Sequence, residues 1–368
     1  MMNNMSREFD ILCSQKSNVI DNFLTTNPIF VCTISYTETS QVPGITFAGA
    51  NPDLIKYTSP ADSEFLFHGR CFSISGVPAT PDGIPTPALL TRTALLLGKI
   101  PCLVVNSGSK ISPKIPYVSF GISYGKNIQH EAALQLFEAQ QAFDYGNVLG
   151  NQLSKSNDLV VLGESIPGGT TTALGVLTGF GIDANYKMSS SMPTNPHDLK
   201  IRVVKEAIKN YNLSDLKDPF KIVSLLGDPM IPAVAGIATG VIKSGSRVML
   251  AGGTQMAAVL ALMASLKVPL DKICIGTTSY VTNDDNSDLD FLVRSISSDV
   301  PILSVNPGLD KSTKNGLLMY DKGVVKEGVG SGGALLTLLL KLNGSLEKDI
   351  FLRKLEEEYE KNIENIVV

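Results

Sequence analysis

The chain has 368 residues, of which 43% are hydrophobic and 18% charged, with 32 glycines, no tryptophan and a formal net charge of −4. That length buries a sizeable core as one large α/β domain with an accessory piece, or as two domains. The acidic balance excludes a general nucleic-acid or membrane-surface binder, which needs a basic face.

In chain order, residues 6–24 carry Phe9, Ile11, Leu12, Val19, Ile20, Phe23 and Leu24 at spacings compatible with one or two short helices. Residues 29–35 alternate as a strand does, and 71–75 and 102–106 read as two more. Between the last two, Pro78, Pro81, Pro85 and Pro87 stiffen a long loop, and residues 86–98 follow as a helix ending in Gly98. A long helical stretch is predicted over 130–153. A strand at 158–162, a helix over 200–211 and a strand at 222–226 come next. The alternation then runs helix 231–243, strand 247–251, helix 254–266 and strand 273–277. Buried strands alternating with helices imply a parallel sheet covered on both faces. The tail 345–368 reads as a charged helix packed on the outside. The expected fold is therefore α/β: a three-layer, Rossmann-like parallel sheet with helices on both faces. Its catalytic core is expected over 27–343, with a small helical subdomain from the two chain ends, 1–26 and 344–368.

The segment 163–172, Gly-Glu-Ser-Ile-Pro-Gly-Gly-Thr-Thr-Thr, carries the strongest chemical signal. A strand turning through Gly168-Gly169 into a threonine-rich helix start presents backbone N–H groups and a positive dipole end to an anion. A plain βα turn with a helix cap explains the same residues. It is neither a Walker loop nor the G-x-G-x-x-G fingerprint. Glu164 would repel a phosphate, which points it at a hydroxyl or base of the ligand. Four strand ends are small and polar: Gly163-Glu164, Gly227-Asp228, Gly252-Gly253-Thr254 and Gly276-Thr277-Thr278. Together they predict a nucleotide cleft along one sheet edge. A second glycine cluster, Gly330-Ser331-Gly332-Gly333, precedes an apolar helix, and Glu327 lies just upstream. The acidic stretch around Asp284, Asp285, Asp288 and Asp290 lacks EF-hand spacing and reads as a solvated loop and helix cap.

Cys13, Cys32, Cys71, Cys102 and Cys274 are scattered, with no C-x-x-C pair, and read as buried small hydrophobes in a reducing compartment. His68, His130 and His197 are not at ligand spacing, so no metal site is expected. The first residues lack the charged-then-apolar pattern of a secretory signal, and the longest apolar run, 256–266, is too short to span a bilayer. A soluble, cytoplasmic protein is expected.

The block 158–172 resembles the strand–G-E-x-G-x-G-N-T-T segment of the nicotinate-nucleotide:dimethylbenzimidazole phosphoribosyltransferases. Other blocks agree in order. They are Val104-Val-Asn-Ser-Gly108, Glu131-Ala-Ala-Leu134, Asp218-Pro219 with Ala233-Val-Ala-Gly236, Arg247 to Gly252, and Gly330-Ser-Gly-Gly-Ala334. The likeness spans roughly 104–340 and is greatest to the divergent archaeal and cyanobacterial branch. It implies transfer of the phosphoribosyl group of nicotinate mononucleotide to a benzimidazole-type base. The products would be nicotinate and α-ribazole phosphate, the latter for cobamide (cobalamin) lower-ligand assembly. It also implies a homodimer, with no metal and no cofactor.

Carried over by position, Gly168, Gly169, Thr170 and Thr171 would hold the 5′-phosphate and Glu164 the ribose side. Lys200 would add positive charge, and Ser190 and Ser191 occupy a further glycine-rich segment of the family. Gly330, Ser331 and Gly332 match the terminal E-G-T-G-A and would bind substrate through backbone donors at the helix start. The family's general base, the Glu before G-T-G, is Val329 here, which leaves Glu327 as the candidate proton acceptor. Ala251 and Gly169 replace an Asp and an Asn of the family, so the acceptor base is open. A nonenzymatic nucleotide-binding paralogue and an atypical dinucleotide oxidoreductase are the rival readings.

Overall fold

The computed structural model describes residues 9–366 apart from 16, 50, 81–82, 191, 193 and 212–216. Eight strands make one sheet: β1 (Leu12–Cys13), β2 (Pro28–Ile34), β3 (Cys102–Asn106), β4 (Val118–Ser119), β5 (Leu159–Ser165), β6 (Arg247–Ala251), β7 (Ile273–Thr278) and β8 (Ile302–Val305). Their spatial order is β1-β8-β7-β6-β5-β2-β3-β4, and every pairing is parallel except that of β1 with β8. From β2 the chain first builds outward through β3 and β4. It then returns to place β5 on the other side of β2 and continues through β6 to β8. The direction of building thus reverses between β2 and β5, and the carboxyl ends of those two strands border the crevice where such sheets take ligands.

Thirteen helices with α geometry fall among the described residues. They are α1 (Thr58–His68), α2 (Ala88–Gly98), α3 (Leu136–Leu153), α4 (Gly169–Gly179), α5 (His197–Lys209), α6 (Pro219–Leu226) and α7 (Met230–Lys243). Next come α8 (Met256–Ser265), α9 (Ser279–Thr282), α10 (Leu289–Arg294), α11 (Asn315–Asp321), α12 (Ser331–Lys341) and α13 (Lys348–Asn362). Two apolar cores fill the two faces of the sheet. One joins α3–α8 and α10 to Val31, Val160 and Leu162. The other joins α1, α2, α11, α12 and α13 to Phe30, Cys32 and Val161. Neighbouring strand residues alternate between the two cores, as side chains on a pleated strand must. At the chain ends, β1 closes one sheet edge, and α13 is tied to α2 by a buried ion pair, Arg92 Nε to Glu358 Oε2 at 3.1 Å.

Several predicted elements differ. Residues 222–226 are helical, not a strand. Asp218 caps the helix by accepting from Phe220 N at 2.9 Å, and Pro219 occupies the first turn, where its missing N–H costs nothing. Residues 71–75 form bends because Glu64 Oε2 takes the N–H groups of Phe72 (2.6 Å) and Ser73 (2.8 Å), which a ladder would need. The helix predicted from 130 begins at Leu136, behind a capping box between Gln135 and Glu138. The N-terminal segment holds β1 and a 3-10 turn, Ser17–Phe23. Strand β8 was not predicted; its four residues give too short a period to recognise.

The packing that positions the site depends on missing side chains. α3 and α7 cross backbone to backbone at Gly146, Gly150, Gly236 and Gly240. A methyl group at Gly146 would reach 2.5 Å from the Ala233 carbonyl oxygen, and at the other three it would come closer still to the opposing backbone. α12 sits equally hard on the sheet, since Gly332 lies against the Thr277–Thr278 peptide and Gly333 against Ala251. Backbone cannot yield as a flexible side chain can. Gly240→Ala is therefore expected to lower the unfolding free energy by at least the ~1–3 kcal/mol typical of core overpacking, measured by denaturant titration.

Candidate active site

The carboxyl ends of β2, β5, β6 and β7 bring most of the predicted residues to one edge. Glu164 is the penultimate residue of β5 and only 4% exposed. Thr33 of β2 is its register partner, so the two side chains project from the same sheet face across the crevice. The turn after β5 passes through Gly168 at φ +78°, a left-handed conformation that favours glycine, and enters α4 at Gly169. Ser40 closes over Gly168 and the Gln255 side chain over Gly169. Within the turn, Gly169 N donates to Ile166 O (3.3 Å) and Thr171 N to Gly168 O (3.0 Å). Thr170 is half-buried. Thr171 Oγ1 and Thr33 Oγ1 are buried without a hydrogen-bond partner among the described residues. A buried hydroxyl left this way costs free energy unless a ligand or water meets it.

Three buried carboxyl groups border this edge. Burial pushes Glu164 up to about 8, with Asp228 and Glu327 adding repulsion and the Gln255 side chain opposing through a hydrogen bond. Burial likewise raises Asp228 to about 6, against the Thr172 hydroxyl (2.5 Å) and the N–H groups of Met230 (2.9 Å) and Ile231 (3.2 Å), which it caps. Asp62 of α1 is raised to about 6 by burial, although it accepts from Thr86 Oγ1 and Ser165 Oγ, each at 2.7 Å. Sequence reasoning missed Asp62, since nothing local in the sequence marks a side chain that acts 103 residues away. Asp228 was visible as a polar residue after Gly227, though on the end of a helix and not of a strand.

Glu327 is held differently. Its carboxylate accepts from Thr278 N (3.0 Å), Gly328 N (3.0 Å), Ser331 Oγ (2.7 Å) and Gly332 N (3.2 Å). It therefore occupies the N-terminus of α12 as an internal anion, and burial raises its carboxyl despite those donors. Gly330 packs against Gly163 and Ala251, and Val329 N donates to Glu164 O at 3.1 Å, so the 327–333 turn touches β5 beside Glu164.

Lys200 is 1% exposed and donates to Ser189 O (2.7 Å) and Asn195 Oδ1 (3.1 Å). Burial, with Lys326 nearby, pulls its ammonium down to about 7, Asp284 acting the other way. Lys326 and Asp284 form a 2.6 Å ion pair, its side chains 6% and 4% exposed. Burial opposes the charge on Asp284, but Lys326 and Asn286 hold its carboxyl below the usual range. Neither member of that pair was among the residues singled out for chemistry. Ser189 connects the lysine cluster to the sheet edge: its N–H donates to Thr254 Oγ1 at 2.9 Å, and Thr254 adjoins Gln255. Ser190 Oγ caps Met192 N at 3.1 Å, and Ser191 lies outside the described residues. Among the described residues no group of His, Cys, Asp and Glu is arranged to hold a metal ion, and no helix is long and apolar enough to cross a membrane.

The N-terminal third closes on this edge. Thr91 Oγ1 donates to Val329 O at 2.9 Å, Pro87 packs on Gly328, Ser40 covers Gly168, and Asp62 grips Ser165.

Comparison with known proteins defines the class. A family model described as phosphoribosyltransferase matches residues 99–280, the span that carries β3 to β7 with their cleft-side loops. Solved structures of nicotinate-nucleotide–dimethylbenzimidazole phosphoribosyltransferase and of CobT, both from Thermus thermophilus, share the fold with TM-scores of 0.59. They are 14% and 13% identical, with 90% and 96% of this chain and 84% and 94% of theirs superposed. Much nearer in sequence are the UPF0284 proteins of Archaeoglobus fulgidus, 46% identical over 90% of this chain and 93% of the relative, and of Methanothermobacter thermautotrophicus, 41% identical over 88% and 90%. The chain belongs to the UPF0284 family.

The raised acids make stability depend on pH. An acid whose folded pKa exceeds its unfolded one favours the folded state at low pH, and that advantage is lost as pH rises through the folded value. For Asp62 the window runs from its ordinary 3.8 to about 6. Asp62→Asn should therefore gain about 2 kcal/mol of unfolding free energy relative to the wild type between pH 4 and pH 7. Denaturant midpoints of the two proteins across that range measure it.

Proposed function

We propose that the chain transfers the phosphoribosyl group of nicotinate mononucleotide to an azole base, releasing nicotinate and forming an α-ribosyl phosphate of the kind used as a cobamide lower ligand. The observation that carries the reading is the pairing of Glu164 with the Gly168–Thr171 helix start at the point where the sheet reverses direction. A helix N-terminus of that kind takes a phosphate, and a carboxylate one strand-end away takes the sugar side. Lys200, linked to the same edge through Ser189 and Thr254, supplies positive charge toward the phosphate.

The chemistry is displacement at the ribose C1′ with inversion. Nicotinate leaves well because its ring nitrogen is already cationic in the nucleotide, and the bond pair returns to that nitrogen. The protein has to hold two planar bases on opposite faces of the sugar, and such positioning supplies the larger part of the rate. The replacements at Val329, Ala251 and Gly169 leave the acceptor base to experiment.

Incubation of the protein with nicotinate mononucleotide and a panel of azoles, followed by mass spectrometry, should show a ribosylated azole phosphate and free nicotinate. Binding of the nucleotide without product from any azole favours the nonenzymatic paralogue. Lys200→Met should raise the KM for the mononucleotide at least tenfold, a loss of about 1.4 kcal/mol, while changing KM for the dephosphorylated nucleoside far less. Equal changes for both would remove Lys200 from phosphate recognition.

A further inference from the structure

Resting on the phosphoribosyl-transfer reading, we infer that Glu164, and not Glu327, accepts the proton of the incoming azole, while Glu327 serves as the fixed anion that seals the N-terminus of α12. The two carboxylates are chemically unlike. Glu327 has both oxygens committed to three backbone N–H groups and two hydroxyls, those of Ser331 and Thr277. Using it as a base means breaking the turn that presses Gly330 against Gly163. Among the described residues Glu164 draws a hydrogen bond only from the Gln255 side chain, and no cation pairs with it. It also lies where a ligand is expected, across the crevice from the unpartnered Thr33 hydroxyl and one turn before the unpartnered Thr171 hydroxyl. Thr33 Oγ1, next to Glu164 in register, and Thr171 Oγ1, in the first turn of the helix after β5, are fully buried hydroxyls without partners that a ligand atom or water has to meet.

The lone pair of the azole's imine-type nitrogen attacks C1′ as the C1′–N bond to nicotinate breaks, and that bond pair neutralises the departing ring. The ribosylated azole then carries the positive charge and an N–H on its other nitrogen. Glu164 takes this proton, becomes a carboxylic acid and passes it to solvent after product release. A base is most effective when its pKa lies near the working pH, and Glu164, raised to about 8, meets that condition. The groups that set it are Asp228 at the start of α7, Glu327 before α12, Asp62 on α1, the Gln255 amide before α8, and the neutral Cys32 thiol of β2.

The test uses the full chain with nicotinate mononucleotide and whichever azole is turned over. Glu164→Gln should lower turnover by about 10²–10⁴-fold, the contribution of a general base, a loss read in kcat at saturating nucleotide and azole. Glu327→Gln should mainly lower the melting temperature. Because Glu164 must be ionised to act, the wild-type kcat/KM for the azole at saturating nucleotide should rise with pH through a limb at or below about 8. Asp228→Asn keeps a capping side chain but removes one repelling charge, so it should move that limb to lower pH. The inference is overturned if Glu164→Gln retains wild-type turnover, or if the limb stays in place in Asp228→Asn. If Glu164→Gln does not fold, the Asp228→Asn profile decides alone. Absence of product from the wild type with every azole would fail the phosphoribosyl-transfer reading itself, and this inference would fall with it.

Discussion

The fold tolerates buried carboxyl groups with no cation to neutralise them, and most of the site's character follows from how it does so. A carboxylate taken from water has to recover its solvation from donors or stay protonated. Asp62 recovers it from two hydroxyls, Asp228 from a hydroxyl and two helix-start N–H groups, and Glu327 from a complete ring of donors. Glu164 recovers least and is the most strongly raised of those whose values are resolved. The buried cations stand elsewhere, where Lys200 and Lys326 gather around Asp284 and the Ser189 loop. Lys326 is already paired with Asp284, which leaves the Lys200 ammonium separated from the carboxyl edge with Ser189 and Thr254 between them. A zwitterionic nucleotide, anionic at its phosphate and cationic at its ring, has the charge pattern such a separation complements.

Keeping those groups in place requires rigid, close backbone contacts, and glycine supplies them. Asp228 lies two residues before α7, whose position is fixed by the crossing with α3 at Gly236 and Gly240. Glu327 lies in the turn before α12, whose entry over the sheet is fixed by Gly330, Gly332 and Gly333. In both places a carboxylate caps or closes the start of a helix that has no freedom to shift. The second glycine cluster, expected from its pattern to present amides to a ligand, has spent its nearest donors on Glu327 and its missing side chains on packing.

This division explains what was legible in the chain. Strand-to-helix units with an apolar run, a glycine turn and a helical period were readable because each is local: β5 to α4, β6 to α8 and β7 appear where the pattern puts them, and Glu164 could be placed at a strand end. Residues 222–226 misled because a five-residue apolar run has no period of its own, and the deciding signal was the Asp218-Pro219 start. Residues 71–75 misled because the competitor for their N–H groups was Glu64, a side chain on a neighbouring helix. Asp62 and Lys326 lay beyond any local reading, since their meaning depends on partners 103 and 42 residues away. The state of Glu327 was hidden for the opposite reason. Its donors are mostly adjacent in sequence, but only the closed turn makes them converge.

The unequal satisfaction of the acids also bears on how the free and liganded states differ. Protonated near neutral pH, Glu164 spares the free protein the cost of a bare buried charge, yet leaves the Thr33 and Thr171 hydroxyls without partners. A cationic ring bound in the same cleft as Glu164 reverses this balance, because a nearby positive charge favours the ionised carboxylate. Ligand binding and deprotonation of Glu164 are then linked: each makes the other easier, by the same free energy in both directions. In the phosphoribosyl-transfer reading the nucleotide therefore readies the base that the second substrate needs. That linkage gives a physical reason for nucleotide to bind before the azole, with no moving part beyond a proton.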